Sequence, residues 1–435
     1  MLTPQAFTFS RYRAFKDPIR VELAPLTLVI GRNGGGKSVV TRVPLLIAGG
    51  LQAKSRAPLD LQAGGITHGS RFEDLIFQRS SQPFSLGAEM VAEDSAIRFS
   101  TSLRHISEKH VLGIESFHLY RDGILLLQLD AEAPEDISER EGTFLAKGSL
   151  LSQEIKSKVS FEGLFPTLIE GQAEASSSLV KLRAAFEATL EETAYIGPFR
   201  SEQGSLPRIP RQGVSSLGSK GEYALDLLGD NRLRSDGELT TQVEQWFERS
   251  MTGNRLNLTL AGDLPRLQVH DPLRAIDVDI SETGAGFAQV LPIAVLAYAR
   301  RLGLINASLI ILEQPELHLH PAVHGEVVDL LLDTVLVDEK NIRCICETHS
   351  EQLITRVRRR IAEGKIRPES VRVLSVGHVS VLGDEPEPIR VITFDEFGTP
   401  DSWPVGVFDE AFDDLVHIQT AGERRLVESA KGQTE

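Results

Sequence analysis

The run Gly31-Arg32-Asn33-Gly34-Gly35-Gly36-Lys37-Ser38 fits G-x-x-x-x-G-K-[ST], the spacing of a loop that wraps nucleotide phosphates. Glycines let backbone N–H groups come close to a triphosphate and take positive φ. A lysine at the seventh position reaches the β- and γ-phosphates, and the following hydroxyl ligates Mg²⁺. Asn33, Gly34, Gly35, Gly36, Lys37, Ser38 and Val39 are therefore the candidate ATP-binding residues, with Ser38 as a candidate Mg²⁺ ligand.

Two further groups could complete that chemistry. The apolar run 307–312 ends in Glu313-Gln314-Pro315-Glu316, and the run 341–346 ends in Glu347-Thr348-His349-Ser350. A carboxylate at a strand end beside the phosphate loop holds Mg²⁺ and orients water, which assigns Glu313. A histidine at such an end, His349, can reach a γ-phosphate and sense its loss. Upstream, Thr283-Gly284-Ala285-Gly286-Phe287-Ala288-Gln289 opens an apolar helix over 287–302, a second anion-binding helix N-terminus. One triphosphate rarely needs two such turns, so Gly284 and Gly286 are expected to serve the nucleotide of a neighbouring copy.

The elements that must position these residues are legible around them. The β-rich run 26–30 precedes the loop and a helix follows it, which is the order this motif requires. Alternating runs 7–15 and 19–23 predict two paired strands ahead of the loop strand. Arg11, Arg13 and Lys16 there are close enough to flank a nucleotide. Residues 84–130 read as antiparallel strands with a tight turn at Asp122-Gly123. From 131 to 193 the composition turns acidic and helical, with helix-period apolar spacing over 176–191. A Gly/Pro/Ser/Arg-rich loop spans 200–221, a helix is expected at 242–250, and short strands run to Val269. The expected division is 1–130, an N-terminal lobe with the phosphate loop; 131–264, an inserted region; and 265–435, a C-terminal lobe.

Composition sets few limits. The 435 residues carry a formal net charge of −15, which argues against nucleic-acid binding over the whole surface but leaves room for a local basic patch. Arg356, Arg358, Arg359 and Arg360, with Lys365 and Arg367, could be such a patch or cations at a helix C-terminus. Cys344 and Cys346 are the only cysteines and are expected unbonded. No apolar run of membrane-spanning length and no leader-like N-terminus are present, so a cytoplasmic location without membrane contact is expected. His318, His320, His324 and His349 lack cysteine companions, which favours structural histidines over a zinc site. Asp409, Glu410, Asp413 and Asp414 read as a solvated face.

The order of the phosphate loop, Thr283-Gly-Ala-Gly-Phe-Ala-Gln289, Leu312-Glu-Gln-Pro-Glu-Leu-His-Leu-His-Pro321 and Glu347-Thr-His-Ser350 resembles the ABC-type ATPases related to the OLD (overcoming lysogenization defect) and RecF proteins. Tyr195-Ile-Gly-Pro-Phe-Arg200 and the segment 402–409 extend that resemblance over nearly the whole chain. The resemblance implies an α/β fold: an ABC-type P-loop ATPase head with an antiparallel β lobe, a mixed or parallel α/β lobe and a mainly helical insertion. It also implies head-to-tail dimerisation around two ATP molecules, with Mg²⁺ as the metal. Carried over by residue, Lys37 and Ser38 bind phosphate and Mg²⁺, Glu313 takes the Walker B acid position and His349 the switch position. Gly284, Gly286 and Gln289 fall in the signature motif, acting on the partner's ATP, and Gln78 is a candidate metal-side Q-loop residue.

Two departures from that pattern bear on activity. The residue after the Walker B acid, ordinarily a glutamate that polarises water, is Gln314. An amide cannot accept a proton, so slow hydrolysis is expected unless Glu316 or another carboxylate substitutes. The chain beyond His349 is also too short for a Toprim nuclease domain plus the closing ATPase strands. The expectation is a slow, switch-like ATPase forming a homodimer or higher homo-oligomer. It would gate a separate effector, a nuclease or toxin, in prokaryotic anti-phage defence. A RecF-like DNA-binding repair ATPase and a non-hydrolysing ATP-bound scaffold are the alternatives.

Overall fold

Alternation of apolar and polar residues at the N-terminus builds Thr3–Ser10 (β1) and Ile19–Glu22 (β2), which pair antiparallel with Phe7 opposite Val21. The apolar run Leu26–Gly31 (β3) delivers the chain to the phosphate loop and Lys37–Gln52 (α1). In the computed structural model the described residues are 2–92, 95–108, 110–133, 137–201, 213–251, 253–261, 264–336, 342–377, 387–404, 407–408 and 417–421.

A long meander follows: Phe84–Ala92 (β4), Ser95–Ile106 (β5), Val111–Arg121 (β6), Ile124–Ala131 (β7), Glu141–Lys147 (β8), Ile155–Glu162 (β9) and Phe165–Ile169 (β10). With β1 and β2 these make a nine-stranded antiparallel sheet, and the expected turn at Asp122-Gly123 joins β6 to β7. Along β5, Ile97, Phe99, Thr101, Leu103 and His105 all point to the buried face. Phe99, Phe117, Phe165 and Phe186 pack edge-on beneath it, tying the sheet to Ala173–Glu191 (α2).

This sheet corrects one expectation. Residues 131–169 were read as acidic and helical, and the antiparallel lobe was expected to end at 130, yet β8, β9 and β10 continue it. In β9 Lys156 and Lys158 are exposed, and Ser157 interrupts the apolar positions Ile155, Val159 and Phe161, which blurs the alternation. The helices begin only at α2.

The remaining elements are Thr193–Ile196 (β11), Ala224–Arg234 (α3), Glu238–Ser250 (α4), Arg255–Ala261 (β12), Leu264–Asp271 (β13), Ile276–Asp279 (β14), Ala285–Arg301 (α5) and Leu309–Glu313 (β15). Pro321–Leu336 (α6), Arg343–Glu347 (β16), Glu351–Ala362 (α7), Val371–Val376 (β17) and Ile389–Ile392 (β18) complete the chain order. A six-stranded sheet runs β11-β15-β16-β3-β17-β18, parallel except for the last pair. Both of its faces are buried, which explains why its strands read as near-continuous apolar runs. One face meets α1, α2 and the antiparallel sheet through Val29, Ile311 and Ile345. The other meets α3 to α7 and the small β12-β13-β14 sheet through Leu28, Ile310 and Leu312.

Cys344 and Cys346 are free, fully buried and on the same face of β16. No helix of the described residues is long and apolar enough to cross a membrane. Residues 202–212 of the Gly/Pro/Ser/Arg-rich loop and the acids at 409, 410, 413 and 414 lie outside the described residues.

Candidate functional site

The phosphate loop sits at the C-terminal ends of the parallel strands, where an open α/β sheet receives its ligands. Gly31 starts it with φ 135°, and a Cβ there would lie 2.2 Å from the Val376 carbonyl oxygen of the adjacent β17. Only glycine permits that close passage. At the other end Gly36, with φ 101°, turns the chain into α1, so the first N–H groups of α1 face the cavity.

Lys37 is 5% exposed, and its ammonium donates to the carbonyls of Gly31 and Arg32 at 2.9 and 3.0 Å. Burial lowers its pKa, while the Glu347 carboxylate opposes that shift. Ser38 Oγ donates to Glu347 Oε2 at 3.2 Å.

Glu313 is placed differently from the sequence expectation. Its strand β15 is not beside β3, because β16 lies between them. Arg42 grips the Glu313 carboxylate with both Nε and Nη2 at 2.6 Å, and Thr41 Oγ1 donates to it at 3.1 Å. Glu347, paired in register with Glu313 and next to Val29 of β3, is the carboxylate that meets Ser38. Burial first, then the Glu313 charge, raises the Glu347 pKa. The bond from Glu313 drives the Arg42 pKa up. Burial and then Glu313 do the same for the Tyr195 hydroxyl.

These groups open on a cavity of about 660 Å³ lined by Asn33, Gly34, Gly36, Lys37, Ser38, Val39, Gln314, Glu347 and His349. The volume lies in the usual range for small-molecule sites. Arg13, Arg42 and Arg79 add positive charge to the walls and Gln78, held at φ 52°, adds an amide. Arg11 and Lys16 do not line it; Arg11 donates to Ser80 Oγ instead. The His349 pKa is lowered by burial and then by Lys37.

Glu316, expected as a substitute base, is not on the cavity wall. Its Oε1 accepts the His349 backbone N–H at 2.6 Å, so it holds the backbone of that histidine. The wall carboxylates among the described residues are Asp74 and Glu347. Gln314, at φ 47°, donates its backbone N–H to the Glu347 carbonyl at 2.7 Å and lines the cavity.

The Gly-x-Gly turn is not brought to this cavity. Gly284 caps α5 and is exposed. Gly286 packs so closely on the His318-Leu319 region that a Cβ would fall 2.9 Å from the His318 carbonyl oxygen. Gln289 is partly buried, with Nε2 3.5 Å from the Arg200 carbonyl. Arg200, 5% exposed, donates through Nη2 to the Glu313 and Gln314 carbonyls at 3.0 Å, fixing the end of β15.

Other candidates resolve into structure. Arg356 and Arg360 pair with Asp329, Arg356 with Glu326, and Arg359 with Glu363, so this stretch is largely neutralised within the chain. His324 bonds Ser350 Oγ at 2.7 Å and lies near the Leu319 carbonyl at 3.2 Å, a buried structural role, whereas His318 and His320 are exposed.

Sequence reasoning missed Arg42, Glu347, Tyr195 and Arg200 as site residues. A signal existed for two of them. Arg42 is four residues after Ser38, one helical turn along α1 on the same face. Glu347 ends the strand that carries His349.

Residues fit Mg²⁺ by chemistry as well as by position, since a serine hydroxyl and carboxylates are the hard oxygen donors this cation takes.

Residues 26–355 match the family model described as "AAA domain, putative AbiEii toxin, Type IV TA system". That span is more than half of the chain. The chain belongs to this family of AAA domains. Among curated proteins none matches it. In solved structures the chain is similar to an Smc head bound to the C-winged helix domain of ScpA, at 12% identity and TM-score 0.48, covering 90% of this chain and 98% of that one. It is similar to the SMC head domain from Thermotoga maritima at 10% identity and TM-score 0.41, with 90% and 99% covered. The Smc head with an extended coiled coil, bound to the C-terminal domain of ScpA and derived from Pyrococcus furiosus, gives 12% identity and TM-score 0.45, with 96% and 100% covered.

Proposed function

We propose that this AAA-domain chain is a slow, switch-like ATPase of the OLD/RecF-like ABC class. It closes as a head-to-tail homodimer on ATP and gates a separate nuclease or toxin in prokaryotic anti-phage defence. The observation that carries this reading is the division of the site. Lys37, Ser38, Glu347 and His349 line one cavity, while Gly284 stands exposed and outside it. A second copy would bring its Gly-x-Gly turn to that open side. The toxin–antitoxin wording of the family description supports the defence role.

In this reading the N–H groups from Gly34 to Ser38 and the Lys37 ammonium bind the phosphates. Ser38 and Glu347 would hold Mg²⁺, with Glu313 behind them. Mg²⁺ neutralises charge that develops on the phosphate oxygens. Gln314 orients water without taking its proton, and His349 donates toward the γ-phosphate position. Arg42 keeps the two acidic strand ends from repelling each other.

The deciding experiment is single-turnover ATP hydrolysis with Mg²⁺, paired with mass measurement of the assembly, for the natural chain and Gln314→Glu. Slow turnover that quickens in the variant, with ATP-dependent dimerisation, supports the switch. Dimerisation with no turnover in either chain replaces it with an ATP-bound scaffold, which the amide at Gln314 favours.

A further inference from the structure

His105 breaks an apolar rule in β5. It continues the buried register of Ile97, Phe99, Thr101 and Leu103 and is only 8% exposed, although an imidazole there has no apolar role. Across from it stands Glu73, in the 3₁₀ turn Phe72–Leu75, with His105 Nε2 3.6 Å from Glu73 Oε1. His110, in the turn that joins β5 to β6 and held at φ 53°, supplies a third donor. The ligand atoms of all three lie within 4.8 Å of one another.

We propose that Glu73, His105 and His110 form a transition-metal site of the Zn²⁺ class, with the fourth position left to solvent. A separation of 3.6 Å is too long for a good hydrogen bond. It is close to the edge of a tetrahedron built on metal–ligand bonds of about 2.0–2.1 Å, which is roughly 3.3 Å. Two imidazoles with one carboxylate select zinc over Mg²⁺ or Ca²⁺. The exposed His110 leaves the open position accessible to water.

The site has a structural consequence. Asp74, next to Glu73, pairs with Arg79 at 2.9 Å, and Asp74, Gln78 and Arg79 all line the nucleotide cavity. A metal on Glu73 fastens this wall to the β5–β6 turn. The site is independent of the Ser38 and Glu347 oxygens, and it stands or falls apart from the ATPase reading.

The test uses the full chain without a histidine tag, stripped with chelator and titrated with Zn²⁺ against a chromogenic zinc indicator, with elemental analysis of the dialysed protein. The expected result is one Zn²⁺ per chain, with binding weakened about tenfold or more in both Glu73→Gln and His110→Ala. These two positions are partly or fully exposed, so the variants keep the fold, which circular dichroism verifies. His105→Asn should abolish uptake. No zinc on the natural chain, or zinc whose affinity is unchanged in Glu73→Gln and His110→Ala, overturns the proposal and leaves Glu73 and His105 as neighbours without a metal.

Discussion

Arg42 closes on Glu313 with two parallel N–H···O bonds of 2.6 Å, one helical turn beyond the serine of the phosphate loop. Glu313 is 2% exposed, so this guanidinium takes the place of solvent as its partner at the buried end of β15. Removing the cation alone leaves an uncompensated buried charge. Arg42→Ala should therefore lose about 3–5 kcal/mol of stability. Glu313→Gln should lose only about 1–2 kcal/mol, because the freed Arg42 side chain is 33% exposed and can be solvated. Urea unfolding midpoints of the two variants check the order, and equal losses would show that Arg42 is not the residue neutralising Glu313.

What the sequence disclosed follows from where the physics is local. The phosphate loop is a contiguous pattern whose glycines answer to backbone geometry, and β3, α1 and the β4 to β7 meander announce themselves by their own periodicity. Site residues spread over several strands are less legible. Whether Glu313 or Glu347 meets Ser38 depends on strand order, and the interposition of β16 between β15 and β3 leaves no trace in either segment. In β9 a different cause operates: Ser157 interrupts the apolar positions Ile155, Val159 and Phe161 between exposed lysines at 156 and 158. A carboxylate two residues from Gln314 looks like a base in the sequence, whereas folding places Glu316 off the cavity wall with Oε1 on the His349 N–H, a contact no local pattern announces.

Among the described residues Lys37 makes no side-chain ion pair; its ammonium rests on the carbonyls of Gly31 and Arg32. Its loss should therefore remove nucleotide affinity with little effect on the fold. Lys37→Ala is expected to weaken binding of a fluorescent ATP analogue about 100-fold, by direct titration, while the thermal midpoint moves by no more than about 2 °C. A fall in midpoint comparable to that of Arg42→Ala would mean that the lysine holds the loop rather than the ligand.

Ser38 and Glu347 share a bond of 3.2 Å, whereas Glu313 is already occupied by Arg42 and Thr41. Magnesium dependence should follow that difference. Glu347→Gln is expected to raise the Mg²⁺ concentration for half-maximal nucleotide binding about tenfold or more, and Glu313→Gln by less. Titrating Mg²⁺ at fixed nucleotide measures both, and the reverse order would return the primary metal role to Glu313.

His68, on the wall of the nucleotide cavity, has its pKa pushed down to about 4 by burial, against the ordinary 6.5. Its Nε2 lies 3.1 Å from the Ala63 carbonyl, which suits the neutral tautomer that donates there. The folded state thus prefers the uncharged ring. Between pH 6.5 and 4 the unfolded chain binds a proton that the folded chain refuses, so stability falls as the solution is acidified through that window. The full difference of about 2.5 units corresponds to about 3 kcal/mol from this group alone. His68→Gln keeps a donor for Ala63 but cannot titrate, so its stability should decline less over the same range. Urea midpoints of both chains at pH 7 and pH 4.5 give the comparison. Parallel declines would place the acid sensitivity elsewhere and show that protonated His68 is accommodated in the cavity wall.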